Sequence, residues 1–144
     1  MIRNAPRRTL PALIVLLALG VAACSSAASV TPLPSGDEPP ANCPRVEDGV
    51  IDLSAQDLQF SAPCMVAIAG EAFTIHFTNN DTQPHNVAAY ADSSKANEFM
   101  RGEVISEGDS VDSEVEALDE GTYYFDCQIH PEMNGTLYVV AAEA

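Results

Sequence analysis

The sequence predicts an all-β protein, an antiparallel Greek-key β-sandwich of about seven to eight short strands. Apolar and polar residues alternate over short segments, as in Phe73, Ile75 and Phe77 with their polar neighbours, which indicates a strand with one buried face. Turn-forming residues, such as those at 79–81, separate the segments. The length of 144 residues, 47% of them apolar, suits a single core.

The predicted strands follow one another between residue 50 and residue 140. In the segment 111–117, apolar residues share one side and acidic residues share the other, so this strand has a solvated, acidic face. Between Ser93 and Met100, a serine suited to an N-cap predicts one or two helical turns. The predicted strands are 51–53, 73–78, 111–117, 122–127 and 136–140.

The first 23 residues have the pattern of a targeting signal. Three arginines precede an apolar run at 10–23 that is too short to span a bilayer comfortably. The run ends in Val21-Ala22-Ala23-Cys24, which resembles the lipobox of bacterial lipoproteins and predicts lipidation of Cys24. The alternative is an ordinary signal peptide that is cleaved after Ala23 or slightly later.

Residues 24–42 are rich in Ser, Ala and Pro and have no hydrophobic period, which predicts an extended tether ahead of a domain at 43–144. The leader predicts an extracytoplasmic protein, anchored to a bacterial membrane and facing the periplasm or the cell exterior. The chain has 21 acidic against six basic residues, which argues against nucleic acid and anionic lipid surfaces as partners.

Cysteine positions favour one disulfide and one free thiol in the domain. Cys43 precedes a proline and Cys64 follows one, both in loop-like segments, and an extracytoplasmic compartment oxidises thiols. A bond from Cys43 to Cys64 is therefore favoured, although Cys127 as one half of a disulfide is the alternative because spacing does not prove connectivity.

A CxxHxxM motif predicts a copper centre. Cys127, His130 and Met133 lie on one loop between two strands, and His85 supplies a second imidazole from another strand end. Two imidazoles and a thiolate in a plane with a weak axial thioether are the ligand set of a type 1, or blue, copper site. The thioether favours Cu(I) and so raises the reduction potential.

The remaining histidine and two further methionines have ordinary roles in this interpretation. His76 lies on the polar side of its alternating segment, which predicts a solvated side chain rather than a ligand. Met65 and Met100 are expected to fill the core.

The sequence PHNVAAY around His85 and the sequence YYFDCQIHPEMNGTLYV around Cys127 resemble the copper-binding segments of the cupredoxins. The resemblance covers residues 50–142 and is to the plastocyanin, amicyanin and pseudoazurin group. The short loop with Pro131 is most similar to amicyanin. The resemblance implies one type 1 copper per chain, held by the four residues named above.

The resemblance also implies neighbours that tune the copper. Pro84 and Asn86 flank His85, and Asn86 is expected to tie the two copper loops together with its backbone N–H directed at the Cys127 sulfur.

Two positions depart from the pattern of the family. Plastocyanins have an aromatic residue beside the copper cysteine that serves a remote electron-entry patch, whereas this chain has Asp126 there and its tyrosine at Tyr124. Glu132 stands where such proteins often have an apolar residue, so a charge is expected near the edge of His130 where a redox partner would dock.

These observations predict a monomeric one-electron carrier that meets a redox partner protein. The alternative is a module that buffers or delivers copper to an oxidase or reductase. Three histidines are too few for multicopper enzymes, and four ligands leave no open substrate position, so no enzymatic activity is expected. A dense acidic stretch is interpreted as solvation, adaptation to high salt, or a docking field for a cationic partner. It comprises Glu103, Glu107, Asp109, Asp112, Glu114, Glu116, Asp119 and Glu120.

Overall fold

The computed structural model describes residues 38–142, and this part of the chain contains nine β-strands in two sheets. The all-β sandwich is confirmed, with nine described strands rather than seven or eight. The predicted leader at 1–23 and most of the predicted tether at 24–42 lie outside the described residues. No helix among residues 38–142 has the length and apolar character needed to cross a membrane. The strands are β1 (Val50–Gln56), β2 (Gln59–Phe60), β3 (Cys64–Ile68), β4 (Phe73–Asn79), β5 (Ala88–Tyr90), β6 (Glu98–Arg101), β7 (Ser110–Val115), β8 (Gly121–Asp126) and β9 (Asn134–Val140).

One sheet has the strand order β2-β1-β4-β7 and the other has the order β3-β9-β8-β5-β6. Two pairings are parallel, β1 with β4 and β3 with β9, and the rest are antiparallel. The sheets are therefore mixed rather than purely antiparallel. The chain passes from β1 through β2 to β3 in the opposite sheet, so each sheet is completed by strands that are distant in sequence.

The alternation predicted for β4 is confirmed. Phe73, Ile75 and Phe77 are buried between the sheets, while the polar residues between them are partly exposed on the outer face. Burying one such side chain contributes about 1.5–3 kcal/mol, so the apolar face of the strand fixes its register.

The helical turns predicted at 93–100 are wrong, because this segment forms a turn followed by β6. Lys95 has a φ of 59°, in the left-handed region that a right-handed helix cannot continue. The Asp92 carboxylate accepts the Ser94 N–H at 2.8 Å, and the Asp92 carbonyl accepts the Lys95 N–H at 3.1 Å. These bonds close a turn in place of a helix.

A disulfide joins Cys43 to Cys64, with their Cα atoms 5.1 Å apart. It fixes the first described segment along the outer edge of β3, where the Val46 N–H donates to the Val66 carbonyl at 3.0 Å. Glu38 and Ala142 line one shallow cavity of about 580 Å³ together with the end of β3. The two ends of the described chain therefore lie at the same pole of the sandwich.

The opposite pole carries the predicted ligands. β4 ends there at Asn79, β8 ends at Asp126 and β9 begins at Asn134. The loop before β5 contains His85, and the loop between β8 and β9 contains the other three predicted ligands.

Candidate metal centre

Three of the four predicted ligands bring their donor atoms together. Sγ of Cys127 lies 3.7 Å from Nδ1 of His85 and 3.9 Å from Nδ1 of His130. The two Nδ1 atoms are 3.1 Å apart. These residues form the one group among residues 38–142 whose histidine, cysteine or carboxylate atoms are close enough to hold a metal ion together.

The size of this triangle fits a small metal ion. From the three separations, the point equidistant from the donor atoms lies about 2.1 Å from each, against about 2.0–2.3 Å for metal bonds to imidazole nitrogen and thiolate sulfur. Two nitrogens and one sulfur are also the donor set of a trigonal type 1 site.

The ligand loop is closed by its own backbone. The Cys127 N–H donates to the Met133 carbonyl at 2.9 Å, and the Met133 N–H donates to the His130 carbonyl at 2.9 Å. Met133 is only 2% exposed, so its thioether belongs to the core beneath the loop. These bonds hold three predicted ligands in one compact turn.

Exposure differs sharply among the predicted ligands. His85 and Cys127 have no exposed surface, whereas His130 is partly exposed. Ile129 is 43% exposed, and Pro131 and Glu132 next to His130 are exposed as well. The ring of His130 is therefore the part of the donor triangle that a partner protein can approach.

His85 is fixed by its backbone and has a carboxylate against its ring. It exchanges backbone hydrogen bonds of 3.1 and 2.9 Å with Ile105. Its Nε2 lies 3.2 Å from Oδ2 of Asp81. The N–H groups of Leu58 and Gln83, followed by the ring of His85, lower the pKa of Asp81 from 3.8 to about 2.

Asp81 was predicted to lie in a turn, and its contact with His85 was not predicted. The one signal available was the spacing of four residues before His85, which does not show on its own that the carboxylate faces the ring.

Asn86 ties the two ligand loops together through its side chain. Its Oδ1 accepts the Gln128 N–H at 3.0 Å, and its Nδ2 donates to Oε1 of Gln128 at 3.0 Å and to the Gly102 carbonyl at 3.2 Å. Within residues 38–142, the recorded hydrogen-bonding contacts of the Cys127 thiol are with the two imidazoles and not with the Asn86 N–H. Pro84 is exposed beside His85.

Asp126 is fully buried, although its position in β8 predicts an outward side chain. The turn before β6 covers it and places the Lys95 ammonium against its carboxylate. The ammonium also lies 5.9 Å from the centre of the Tyr90 ring. The hydrogen bond to Asp126 raises the pKa of Lys95, which favours the charged ammonium form of Lys95.

The other predictions on single residues agree with their burial. His76 has a partly exposed side chain and pairs with Asp112 at 2.6 Å, on the outer face away from the donor triangle. Met65 and Met100 are buried in the core. The eight residues of the acidic stretch are all exposed.

Comparisons with known proteins agree with this fold. A family model described as a cupredoxin-like domain matches residues 13–139. No curated protein sequence matches the chain.

Three solved structures are similar in fold. The auracyanin of Roseiflexus castenholzii has a TM-score of 0.56 and 18% identity, covering 65% of this chain and 98% of its own. Auracyanin A, a blue copper protein of Chloroflexus aurantiacus, has a TM-score of 0.55 and 22% identity, covering 67% and 99%. An azurin of Methylomonas sp. strain J has a TM-score of 0.55 and 15% identity, covering 65% and 99%.

Proposed function

The chain belongs to the cupredoxin-like family, and we propose that it holds one type 1 copper ion and works as a one-electron carrier. The observation that carries this proposal is the convergence of two imidazole nitrogens and one thiolate sulfur within 3.9 Å of one another. The proposed ligands are His85, Cys127, His130 and Met133.

Each ligand has a separate task in this proposal. The Cys127 thiolate supplies a covalent route for the electron, the two imidazoles suit both oxidation states, and the Met133 thioether favours Cu(I). When bound, copper accepts and releases one electron. The backbone bonds of the ligand loop and the pairing of His85 with Ile105 hold the donors in place, so little rearrangement accompanies the redox change.

Cys127→Ser is expected to abolish the intense blue absorption of the copper-loaded protein, because a serine oxygen does not give the thiolate-to-copper transition. The measurement is the visible spectrum and reduction potential of the purified domain after addition of Cu(II). His76→Asn is the matched control, since it removes a histidine that lies outside the donor triangle and should leave the spectrum unchanged. A colourless wild-type complex would refute the proposal.

The second candidate function is a module that buffers or delivers copper. Exchangeable sites usually surround an open position with several methionines and histidines. Here His85, Cys127 and Met133 are buried, which favours retention of the ion and therefore the carrier. Rapid loss of copper to a chelator would favour delivery instead, and no catalytic role is part of either proposal.

The proposed electron route passes through the partly exposed ring of His130. Ile129 and Pro131 provide an exposed apolar surface around it, and Glu132 adds a negative charge. A redox partner protein that tolerates or seeks acidic surfaces fits this end of a monomer.

The proposed location is outside the cytoplasmic membrane, with a lipid on Cys24 holding the protein to a bacterial membrane. The arginine-rich start, the apolar run and the small residues before Cys24 support this location. The disulfide between Cys43 and Cys64 fits an oxidising compartment.

Cys24→Ser is expected to move the full-length protein from the membrane fraction to the soluble fraction of the cells that produce it. The reason is that the acylated thiol is the proposed anchor. Detergent phase partition and fractionation measure this change, with Ser25→Ala as the control. Unchanged membrane partition of C24S would overturn the lipid anchor and leave the copper site untouched.

A further inference from the structure

We propose that Asp81 is the positioning residue for the buried copper ligand His85, and that it connects this ligand to the turn between β1 and β2. The inference rests on the copper site proposed above. It adds a residue that neither the ligand motif nor the family resemblance indicated. It also gives the left-handed conformation of Leu58 a role, which is to hold the Asp81 carboxylate.

The contact itself joins two buried side chains. Oδ2 of Asp81 lies 3.2 Å from Nε2 of His85, and the two residues are 8% and 0% exposed. No other polar partner of Nε2 is recorded among residues 38–142, and its N–H is not aligned well enough with Oδ2 to count as a full hydrogen bond. A buried N–H without a partner is costly, and the Asp81 carboxylate is the recorded polar neighbour of this one.

The contact selects the tautomer that the metal needs. A carboxylate facing Nε2 keeps the proton on that nitrogen, which leaves the lone pair of Nδ1 free. Nδ1 is the atom that faces Sγ of Cys127 at 3.7 Å and Nδ1 of His130 at 3.1 Å. The donor triangle therefore requires the protonation state that Asp81 favours.

Asp81 is itself held rigidly. Its Oδ2 accepts the Leu58 N–H at 2.7 Å, and its Oδ1 accepts the Gln83 N–H at 3.2 Å. Its own N–H donates to Oδ1 of Asn79 at 2.9 Å. The carboxylate is thus held by one N–H from the turn between β1 and β2 and by one N–H from the loop that carries His85.

Leu58, which donates its N–H to Asp81, has a strained backbone conformation. Asp57 and Leu58 have φ values of 51° and 57°, and they form the two-residue turn between β1 and β2. Such turns require positive φ at both positions and usually contain Asn or Gly, whereas Leu is unfavourable there. The strained Leu58 makes the shortest recorded contact with Asp81, so the turn holds the N–H against the carboxylate that faces the ligand.

A purely structural role for Asp81 makes a different prediction. Its bond to the Gln83 N–H two residues ahead is a common loop-stabilising arrangement, and that role alone would affect stability only. A positioning role must also change the properties of the copper, because a carboxylate against a ligand imidazole adds negative charge and donor strength that favour Cu(II) over Cu(I).

Asp81→Asn is expected to leave the protein blue and to weaken Cu(II) binding by about 10–100-fold, with a smaller effect on Cu(I). The reduction potential should rise, by about 59 mV for each tenfold loss of Cu(II) affinity relative to Cu(I). Competition titrations with chelators and direct electrochemistry measure these quantities independently, and the electron paramagnetic resonance spectrum of Cu(II) reports the altered ligand.

Asp112→Asn is the matched control, because it also removes a carboxylate that contacts a histidine ring, at 2.6 Å from His76. This variant should keep the wild-type potential and copper affinity. A D81N protein that is less stable but has an unchanged potential and resonance spectrum would overturn the positioning role. A wild-type protein that is not blue would instead overturn the copper site, so the two failures are distinguishable.

A measurement on the wild-type protein keeps the test independent of folding in the variant. In the Cu(I) protein labelled with ¹⁵N, the imidazole of His85 should carry its proton on Nε2, with a downfield, slowly exchanging signal typical of a hydrogen bond to a carboxylate. An Nε2–H signal of His85 that exchanges rapidly and lacks the downfield shift would contradict the proposal, whereas a proton on Nδ1 would contradict ligation of copper by His85.

Discussion

Gly135→Ala is expected to destabilise the domain by about 3 kcal/mol or more, because the new methyl group has no space. A Cβ at this position would lie 2.4 Å from Cζ of Phe125 and 2.4 Å from the Pro63 carbonyl oxygen. Neither neighbour moves easily. Phe125 is fully buried and packs against Phe60 at 5.4 Å between ring centres, and the Pro63 carbonyl accepts the Thr136 N–H at 3.1 Å. Equilibrium unfolding in denaturant measures the loss.

Gly108→Ala is the control for this prediction. Gly108 has a φ of 83°, and no atom lies within 4 Å of the place that a Cβ would occupy. Alanine there meets backbone strain without a clash and should cost about 1 kcal/mol. Equal losses at the two positions would show that contact with Phe125 and Pro63 is not the cause.

Lys95→Met is expected to cost about 3 kcal/mol, because it leaves the carboxylate of Asp126 buried without a counter-charge. Asp126 is fully buried, and apart from this ion pair neither of its oxygens has a recorded hydrogen-bond partner among residues 38–142. Removing one partner of a buried pair costs about 3–5 kcal/mol, and the lower end applies since 36% of the Lys95 side chain is exposed. Methionine keeps the apolar stem.

Variants of Asp126 test whether an unpaired buried charge causes the loss of stability in Lys95→Met. Asp126→Asn should cost less than Lys95→Met, because the freed ammonium can turn toward solvent. The double variant K95M/D126N should be more stable than K95M, since no buried charge remains. Arg101→Met is the control, because it removes an exposed pair with Glu98 at 2.8 Å that is worth at most about 1 kcal/mol. A double variant less stable than K95M would refute the explanation.

The strands and the ligand loop were predictable because their signals are local. A period of two marks β4 without reference to any other segment, and Cys127, His130 and Met133 share a loop whose spacing is visible in the sequence. His85 was predicted as a ligand because so few histidines compete with it. Such assignments need the composition and the order of residues but no knowledge of packing.

The misses concern contacts between distant segments. The left-handed backbone conformation of Lys95 forms the turn before β6. Its ion pair with Asp126 accompanies the burial of an aspartate that the alternation of β8 places on the outer face. Asp81 becomes a neighbour of His85 because Leu58, 23 residues earlier, fixes its carboxylate. In both cases a contact between segments that are distant in sequence determines where the side chain lies. The spacing of residues along the chain does not reveal such contacts.

The placement of residues 38 and 142, where the described part of the chain begins and ends, has a practical consequence for attachment to solid supports. Glu38 and Ala142 lie by the far ends of β3 and β9, and the ligand loop ends where β9 begins, about 20 Å away at about 3.3 Å per residue. An electrode or bead attached at residue 38 or at residue 142 would therefore leave the ring of His130 facing the solution. By the electron route proposed above, a freely diffusing mediator would exchange electrons at the exposed ring. Direct electron transfer to the support would have to cross the length of the sandwich.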